Sequence, residues 1–223
     1  MQTGKLSGKI ALVTGASSGI GEATALALAA EGATLAIAAR RAERLDDLAK
    51  RIRETGSAAL PIAVDVTDET QATAMVERVQ QDYGRLDMLL AVAGVGVAAP
   101  FRNTTPEEYR RMVDVNILGL LYPIHAALPS MQRQGAGHIV VVSSGTGRYI
   151  HPSVVYSGTK HAVSAMAESL RREIGKDGQA VEQRLGDMEQ LESEDIAAAI
   201  LYAVSQPPRV NVNILTLYPT AQA

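Results

Sequence analysis

Short apolar runs alternate with longer helical patterns along most of this chain, and few folds accommodate that alternation. The runs are apolar on both faces, which is typical of strands buried within a parallel sheet. Predicted strands lie at residues 9–13, 34–38, 59–64, 86–93 and 138–142. Predicted helices lie at residues 19–30, 42–53, 69–82 and 153–174, and a further one begins near Pro106. The pattern predicts an α/β fold with a doubly wound, Rossmann-type parallel sheet.

The C-terminal quarter departs from this alternation. A sixth strand is expected after the helix that ends near Lys176, but residues 177–182 lead directly into polar, helix-prone sequence up to Glu194. A helix at residues 195–205 and a last strand at residues 212–217 follow. No repeat, low-complexity segment or linker divides the chain, so we expect a single domain over residues 1–223 that lacks one strand.

Composition argues against several classes of protein. The formal net charge of -3 argues against a nucleic-acid partner, because binding a phosphate backbone needs a concentrated basic surface. The absence of cysteine excludes disulfides and thiolate catalysis and fits the reducing cytoplasm, where we expect the protein. No apolar stretch reaches the ~18 residues of a membrane span, so we expect no membrane association. The four histidines lack the spacing of metal ligands, so we expect no metal.

A glycine-rich loop lies between the first predicted strand and the first predicted helix. Its sequence is Thr14-Gly15-Ala16-Ser17-Ser18-Gly19-Ile20-Gly21. Glycines let the backbone turn tightly and approach a pyrophosphate, and the N–H groups and dipole of the helix N-terminus attract its negative charge. The loop predicts a dinucleotide site, and a glycine turn kept only for packing is the alternative.

The same loop allows a second interpretation. Residues 15–19 match the G-x-S-x-G elbow of serine hydrolases, in which Ser17 would be the nucleophile. Such an elbow normally lies deep in the sheet order, so its position after the first strand favours the dinucleotide site. The candidate bases for a hydrolase would be His125, His138, His151 and His161.

The second predicted strand ends in alanines followed by Arg40 and Arg41 rather than in an acid. An acid there would bind the ribose 2′-OH of NAD, whereas a guanidinium suits the 2′-phosphate of NADP. The arginines therefore favour NADP, although one of them could simply be solvated at the start of the next helix. Asp65 and Val66 follow the third strand, where a carboxylate can accept a hydrogen bond from the adenine amino group; a turn or cap is the alternative.

Tyr156 and Lys160 lie four residues apart on a predicted helix, so they face the same side. A phenol ionises near pH ~10, and a nearby ammonium lowers that pKa, which makes a tyrosine usable as a general acid or base. Ser143 and Ser144 follow the fifth predicted strand, at the sheet edge where ligands bind. A hydroxyl there can bond the substrate oxygen. Alone, the Tyr–Lys spacing is common by chance, and the serines could be a turn or a helix cap.

Taken together, these residues resemble the short-chain dehydrogenase/reductase family of the NADP-preferring type. The resemblance spans residues 5 to about 175 in the family's order. Residues 38–45 and 219–220 are similar to those of small bacterial reductases of hydroxy acids or aldehydes, such as clavulanate-type aldehyde reductases. The matching residues are Thr14-Gly15-x-x-x-Gly19-x-Gly21, Asp65-Val66, Ala93-Gly94, Asn116, Ser144 and Tyr156-Ser157-Gly158-Thr159-Lys160.

The resemblance implies an NADP(H)-dependent oxidoreductase that interconverts a carbonyl and an alcohol by hydride transfer. It implies that Tyr156 is the acid/base and that Ser144 orients the carbonyl. It implies that Lys160 binds the nicotinamide ribose and tunes the tyrosine, and that Asn116 holds a water for proton relay. Without the resemblance, Asn116 in the middle of a helix has no assigned role, and a local kink of the helix is the alternative. The resemblance also implies cofactor contacts at Ala93-Gly94 and a homo-oligomer, tetramer or dimer, built on the two long helices. A dinucleotide-binding sensor or scaffold without activity is the alternative function.

Three departures from the family pattern bear on function. The usual N-N-A-G is Ala91-Val92-Ala93-Gly94 here, and the interval of twelve from Ser144 to Tyr156 is one shorter than usual, which makes Ser143 a candidate substitute. The sixth strand and part of the substrate lid are missing between Gly178 and Gln179. Either the chain was shortened or the sequence lacks a segment, and we favour the second because binding lids are often mobile. Candidate substrate-pocket residues are Val95, Val97, Thr146, Arg148, Tyr149 and His151.

Overall fold

Five parallel strands form a sheet in the part of the chain that the structure describes. We describe the fold from a computed structural model, which describes residues 4–96, 100–148 and 152–177. The strands are β1 (Ile10–Thr14), β2 (Thr34–Ala39), β3 (Ala59–Ala63), β4 (Met88–Ala91) and β5 (His138–Val141). The helices are α1 (Gly19–Ala30), α2 (Ala42–Glu54), α3 (Glu69–Tyr83), α4 (Pro106–Val113), α5 (Gly119–Gln134) and α6 (Val154–Asp177). The sheet order is β3-β2-β1-β4-β5, which confirms the predicted Rossmann-type architecture.

Strand β1 lies in the middle of the sheet and is buried on both faces. Val13 pairs with Ile37 of β2 on one side and with Leu90 of β4 on the other. Successive side chains of a strand point to opposite faces. Ala11 and Val13 accordingly pack in one apolar cluster with buried residues of α1 and α2, whereas Leu12 is buried outside that cluster. The remaining face is contacted by α3 and α5, so helices cover both sides of the sheet.

Side-chain caps fix where two of the helices begin. Asp68 accepts a hydrogen bond from the Gln71 N–H at the start of α3. At the start of α4, the Thr105 hydroxyl accepts from the Glu108 N–H at 3.3 Å, and the Glu108 carboxylate accepts from the Thr105 N–H at 2.8 Å. These reciprocal bonds satisfy N–H groups that have no partner within the helix.

A π-helical turn, Asp114–Leu118, joins α4 to α5 without a break in the helix. Judged only by length and composition, the helical stretch Pro106–Gln134 of the described chain could cross a membrane. However, 44% of its most apolar window is buried inside the protein. Burial of this kind is typical of a core helix, so the stretch is weak evidence for a membrane span.

The described residues end within α6. Residues 1–166 form one compact unit that contains the five described strands. Residues 167–223 form a second unit, described only for the end of α6. Three predictions concern the part of the chain that lies outside the described residues, and they stay predictions. They are the single domain through residue 223, the missing sixth strand and the segment expected between residues 178 and 179.

Candidate functional site

The glycine-rich loop connects the end of β1 to the first turn of α1. Gly15 has φ +68°, and a Cβ at this position would lie 2.8 Å from the Ala93 Cα. A Cβ at Gly21 would overlap the carbonyl oxygen of Gly15. Glycine is therefore required at both positions, the first for its backbone conformation and its close approach to the loop after β4, the second for its contact with Gly15. The open N-terminus of α1 begins at Gly19, and the apolar Ile20 side chain is exposed beside it.

Arg41 reaches back from the end of β2 to this loop. Its Nη2 donates to the Ser17 and Ser18 hydroxyls, at 2.8 Å each, and its Nε donates to the Ser17 hydroxyl at 3.2 Å. The structure thus brings Arg41 together with the predicted phosphate loop. Arg40, the other predicted arginine, is exposed.

Asp65 and Val66 follow β3 at the same edge of the sheet. One carboxylate oxygen of Asp65, Oδ1, accepts from the backbone N–H and the hydroxyl of Thr67, at 3.0 and 2.8 Å. Val66 is buried against Gly119, where a Cβ would lie 2.7 Å from the Val66 Cγ2. Asp65 therefore has the turn role that was the alternative at this position, and its adenine contact stays a prediction.

The loop after β4 is held by a hydroxyl. Thr14 is fully buried, and its Oγ1 accepts from the N–H groups of Val92 and Ala93, at 3.2 Å each. Thr14 thus anchors the backbone at the position where the family pattern has side-chain amides. The sequence contained the threonine but gave no sign of this role, because the contact joins residues that lie far apart in the chain.

Asn116 lies in the π turn and is almost completely buried. Its Oδ1 accepts from the Val95 N–H at 2.8 Å, and its Nδ2 donates to the Val95 carbonyl at 2.9 Å and to the Thr159 hydroxyl at 3.0 Å. The side chain therefore connects the loop after β4 to α6. Its implied role in holding a water stays a prediction.

Tyr156 and Lys160 lie on consecutive turns of α6, as their spacing predicts. The Lys160 Nζ lies 5.8 Å from the centroid of the Tyr156 ring and donates to the Val142 carbonyl at 2.8 Å. Burial lowers the pKa of the Lys160 ammonium, because desolvation disfavours its charged form. A Cβ at Gly94 would lie 3.6 Å from this Nζ and 3.5 Å from the Asn116 Oδ1, so both polar groups converge on Gly94.

The two serines after β5 have different surroundings. The Ser143 hydroxyl donates to the Lys160 carbonyl at 3.1 Å and bonds the Ser164 hydroxyl at 2.8 Å, so it is engaged with the body of α6. The Ser144 hydroxyl accepts from the Thr146 N–H at 3.3 Å. Of the two, Ser144 is the serine whose hydroxyl is not bonded to α6 in the described structure.

A shallow pocket that opens to solvent lies beside Tyr156. Its lining was not predicted, because it comes from residues before α4, from the end of α4 and from the residues that lead into Tyr156. Among the predicted pocket residues, Val95, Thr146 and Arg148 are described, whereas Val97, Tyr149 and His151 lie outside the described residues. In the described ranges no three His, Asp or Glu side chains cluster to hold a metal. The pocket beside Tyr156 is lined by Phe101, Thr104, Met112, Ser153, Val154, Val155 and Tyr156.

Comparison with known proteins relates this site to a large family. The short chain dehydrogenase profile matches residues 9–183. An uncharacterized oxidoreductase of Staphylococcus aureus (strain MW2) is 36% identical over 229 residues, which cover 96% of this chain and 98% of that protein. A 3-ketoacyl-ACP reductase from Sinorhizobium meliloti 1021 is 38% identical with a TM-score of 0.71, over 75% of this chain and 67% of that one. An NAD+-bound xylitol dehydrogenase is 33% identical with a TM-score of 0.74, over 77% and 67% respectively.

Proposed function

This chain belongs to the short chain dehydrogenase family of oxidoreductases, which use NAD(P), and from that premise we propose that it interconverts a carbonyl and an alcohol with NADP(H) as its cofactor. The observation that carries the proposal is the convergence of Tyr156, Lys160 and Asn116 on the loop after β4. This loop touches the phosphate loop at Gly15, so acid/base groups and a dinucleotide cradle adjoin one another. Ligands of open α/β sheets bind at this edge.

The residues present fit a dinucleotide. Gly15 and Gly21 allow the close backbone packing that shapes the loop, and a Cβ at Gly19 would meet no atom within 4 Å, so the start of α1 is open. The first turn of α1 offers N–H groups to a pyrophosphate. Gly15, Ser17, Ser18, Gly19, Ile20 and Gly21 would hold the pyrophosphate, Asp65 and Val66 the adenine, and Ala93, Gly94 and Lys160 the nicotinamide riboside. When bound, NADPH supplies the hydride that reduces the carbonyl carbon.

Tyr156 is the acid and base in the proposed mechanism. Its phenol donates a proton to the carbonyl oxygen during reduction, and its phenolate accepts the alcohol proton during oxidation. The Lys160 ammonium, 5.8 Å from the ring centroid, stabilises the negative charge that develops on the phenol oxygen during this transfer. Ser144 donates a hydrogen bond to the substrate oxygen and holds it near Tyr156, and Asn116 braces the loop against which Tyr156 lies.

Replacing Tyr156 by phenylalanine tests the mechanism directly. We expect a purified wild-type protein to oxidise NADPH with members of a panel of aldehydes and ketones, followed by absorbance. Tyr156→Phe should lower kcat by about 10²- to 10⁴-fold, the usual contribution of a general acid, while NADPH binding by fluorescence titration persists. Wild-type protein that binds NADPH but turns over none of the substrates would instead indicate a dinucleotide-binding sensor or scaffold.

The choice of NADP over NAD rests on Arg41. Its guanidinium lies on the Ser17 and Ser18 hydroxyls, at the point where the loop meets the end of β2, and a charged fork there suits a 2′-phosphate. The xylitol dehydrogenase structure contains NAD+, so NAD is the alternative that has to be tested on this chain.

We expect Arg41→Ala to lower kcat/KM for NADPH by about 10- to 100-fold, the loss of a charge-assisted hydrogen bond, and to change kcat/KM for NADH by less than about threefold. Arg44→Ala, on the exposed side of α2, is the matched control and should leave both values unchanged. Arg40→Ala measures how much the second predicted arginine contributes to the preference for NADPH over NADH. An equal fall for both cofactors in Arg41→Ala would contradict the NADP preference and point to a role in shaping the loop.

A further inference from the structure

The turn that follows β5 contains two neighbouring hydroxyl groups, those of Ser144 and Thr146, and it lies next to α6. The Ser144 hydroxyl oxygen accepts two hydrogen bonds, one from the Thr146 N–H at 3.3 Å and one from the Thr146 hydroxyl at 3.2 Å. A serine hydroxyl has two lone pairs and one proton. Because Thr146 occupies both lone pairs, the Ser144 proton is left to be donated elsewhere.

Thr146 is itself fixed to α6. Its carbonyl accepts from the Ser157 hydroxyl at 2.9 Å, and Ser157 adjoins Tyr156. Gly147 follows Thr146 and is buried so closely against α6 that a Cβ would lie 2.6 Å from the Lys160 carbonyl oxygen. The backbone of Thr146 therefore has a defined position relative to the helix that carries Tyr156 and Lys160.

We propose that Thr146 is a positioning residue that orients Ser144 as a hydrogen-bond donor to the substrate oxygen. This inference rests on the proposed function, in which Ser144 contacts the carbonyl. Without the Thr146 hydroxyl, one lone pair of Ser144 is free, and the Ser144 proton can rotate toward other acceptors. An oriented donor needs no rearrangement when charge develops on the substrate oxygen, which is the benefit of a preorganised site.

Thr146→Val removes the hydroxyl and keeps the shape and the backbone N–H. We expect it to lower kcat for carbonyl reduction about 5- to 10-fold, the effect of one neutral hydrogen bond, with KM for NADPH unchanged. Thr146→Ser restores a hydroxyl and should return kcat to within about twofold of wild type. Thr70→Val, at an exposed position of α3, is the control for the loss of a threonine hydroxyl and should not change kcat.

A double-mutant cycle separates this inference from the proposed function. If Thr146 acts through Ser144, Thr146→Val should have no further effect in a Ser144→Ala background, measured in single turnovers. A wild-type kcat in Thr146→Val, or the same loss with and without Ser144, overturns the positioning role while Ser144 keeps its proposed contact. Full activity in Ser144→Ala overturns both that contact and the inference. If Thr146→Val does not fold, Thr146→Ala makes the same comparison.

Discussion

At the scale of single residues, Lys160 shows how burial and function oppose each other. Its side chain is 6% exposed, although lysine is rarely buried without a partner. The Val142 carbonyl accepts from its Nζ and offsets part of the desolvation of the charge. The lowered pKa is the remaining cost, since the folded protein binds this proton less tightly than the unfolded chain does.

This cost predicts a pH dependence of stability. Because the pKa of Lys160 is lower in the folded state, the unfolded chain holds more protons between that lowered value and the ordinary 10.5, and the free energy of unfolding rises with pH across this window. We expect wild type to gain stability relative to Lys160→Met as pH rises from 7.5 to 10. Urea unfolding of both proteins at three pH values measures it. A difference that stays constant, or that changes in favour of the variant, would contradict the prediction.

The sequence predicted these residues unevenly. The spacing of Tyr156 and Lys160 on a helix placed them on one side, and the glycines of the predicted phosphate loop were recognisable by their pattern together with their position between the first strand and the first helix. Thr14 and Thr159 were not assigned roles, because their partners are backbone groups or side chains 43 to 79 positions away. The role of a hydroxyl can be predicted only when its hydrogen-bond partner is known, and the tertiary fold determines that partner.

At the scale of elements, the π turn connects the helix that contains it to the loop after β4 and to α6. It presents Asn116 to the loop after β4 and to Thr159 of α6, while α4 and α5 continue on either side of it. π turns are rare and occur mostly as single turns inside α-helices, often at functional sites. The side chain satisfies both backbone groups of Val95, in the way a neighbouring strand would.

Asn116→Ala should therefore destabilise the protein as well as the site. The substitution leaves the partly buried Val95 N–H and carbonyl without these partners, and we expect the free energy of unfolding to fall by about 1 to 3 kcal/mol. Asn103→Ala, at an exposed position, is the matched control and should change it by less than about 0.5 kcal/mol. Urea denaturation followed by circular dichroism measures both. If Asn116→Ala were as stable as wild type, water would have to replace the side-chain amide of Asn116 without a cost in free energy.

Elements were easier to predict than the irregular turns between them. In the described part of the chain, the five strands lie within about two residues of their predicted bounds, because apolar periodicity reports burial directly. The helices α1, α2, α3 and α6 lie within about three residues of theirs, and α4 begins at Pro106 as predicted. The π turn was not predicted, since a long amphipathic pattern from Pro106 onward indicates only a helix. The sequence also could not show that the Ser143 hydroxyl bonds to α6 and the Ser144 hydroxyl to Thr146, because adjacent residues on a turn can face either way. Ser144 as the catalytic serine stays a prediction.

At the scale of the whole molecule, two partly exposed apolar residues lie on the long helix that contains the π turn. Val113 and Leu121 are 38% and 37% exposed on either side of the π turn. Enzymes of this family are often oligomeric, and we propose that this chain forms a dimer or tetramer through its long helices.

The alignment with the Staphylococcus aureus relative spans 229 positions, more than the 223 residues present here, so that relative has residues without counterparts in this chain.

Leu121→Glu tests the proposed dimer or tetramer. A charge at an apolar contact is costly to desolvate, so we expect the variant to dissociate to the 23.6 kDa monomer, whereas wild type elutes as a dimer or tetramer in light-scattering chromatography. Arg44→Glu, on the exposed side of α2, changes charge elsewhere and should keep the wild-type mass. Wild type that is monomeric at every concentration would contradict the proposed oligomer.

The π turn also decides what a one-residue deletion in this helix would change. A π turn contains one residue more than an α-helical turn, so losing a residue between Asp114 and Leu118 would restore a regular helix. Because the π turn absorbs its extra residue locally, α5 would keep its phase, and Leu120, Ile124 and Met131 would stay on the buried face. The change would fall instead on the backbone that presents Asn116 to Val95 and Thr159. Such a deletion would therefore separate the integrity of the core from the connection that Asn116 makes, which point substitutions within the core cannot do.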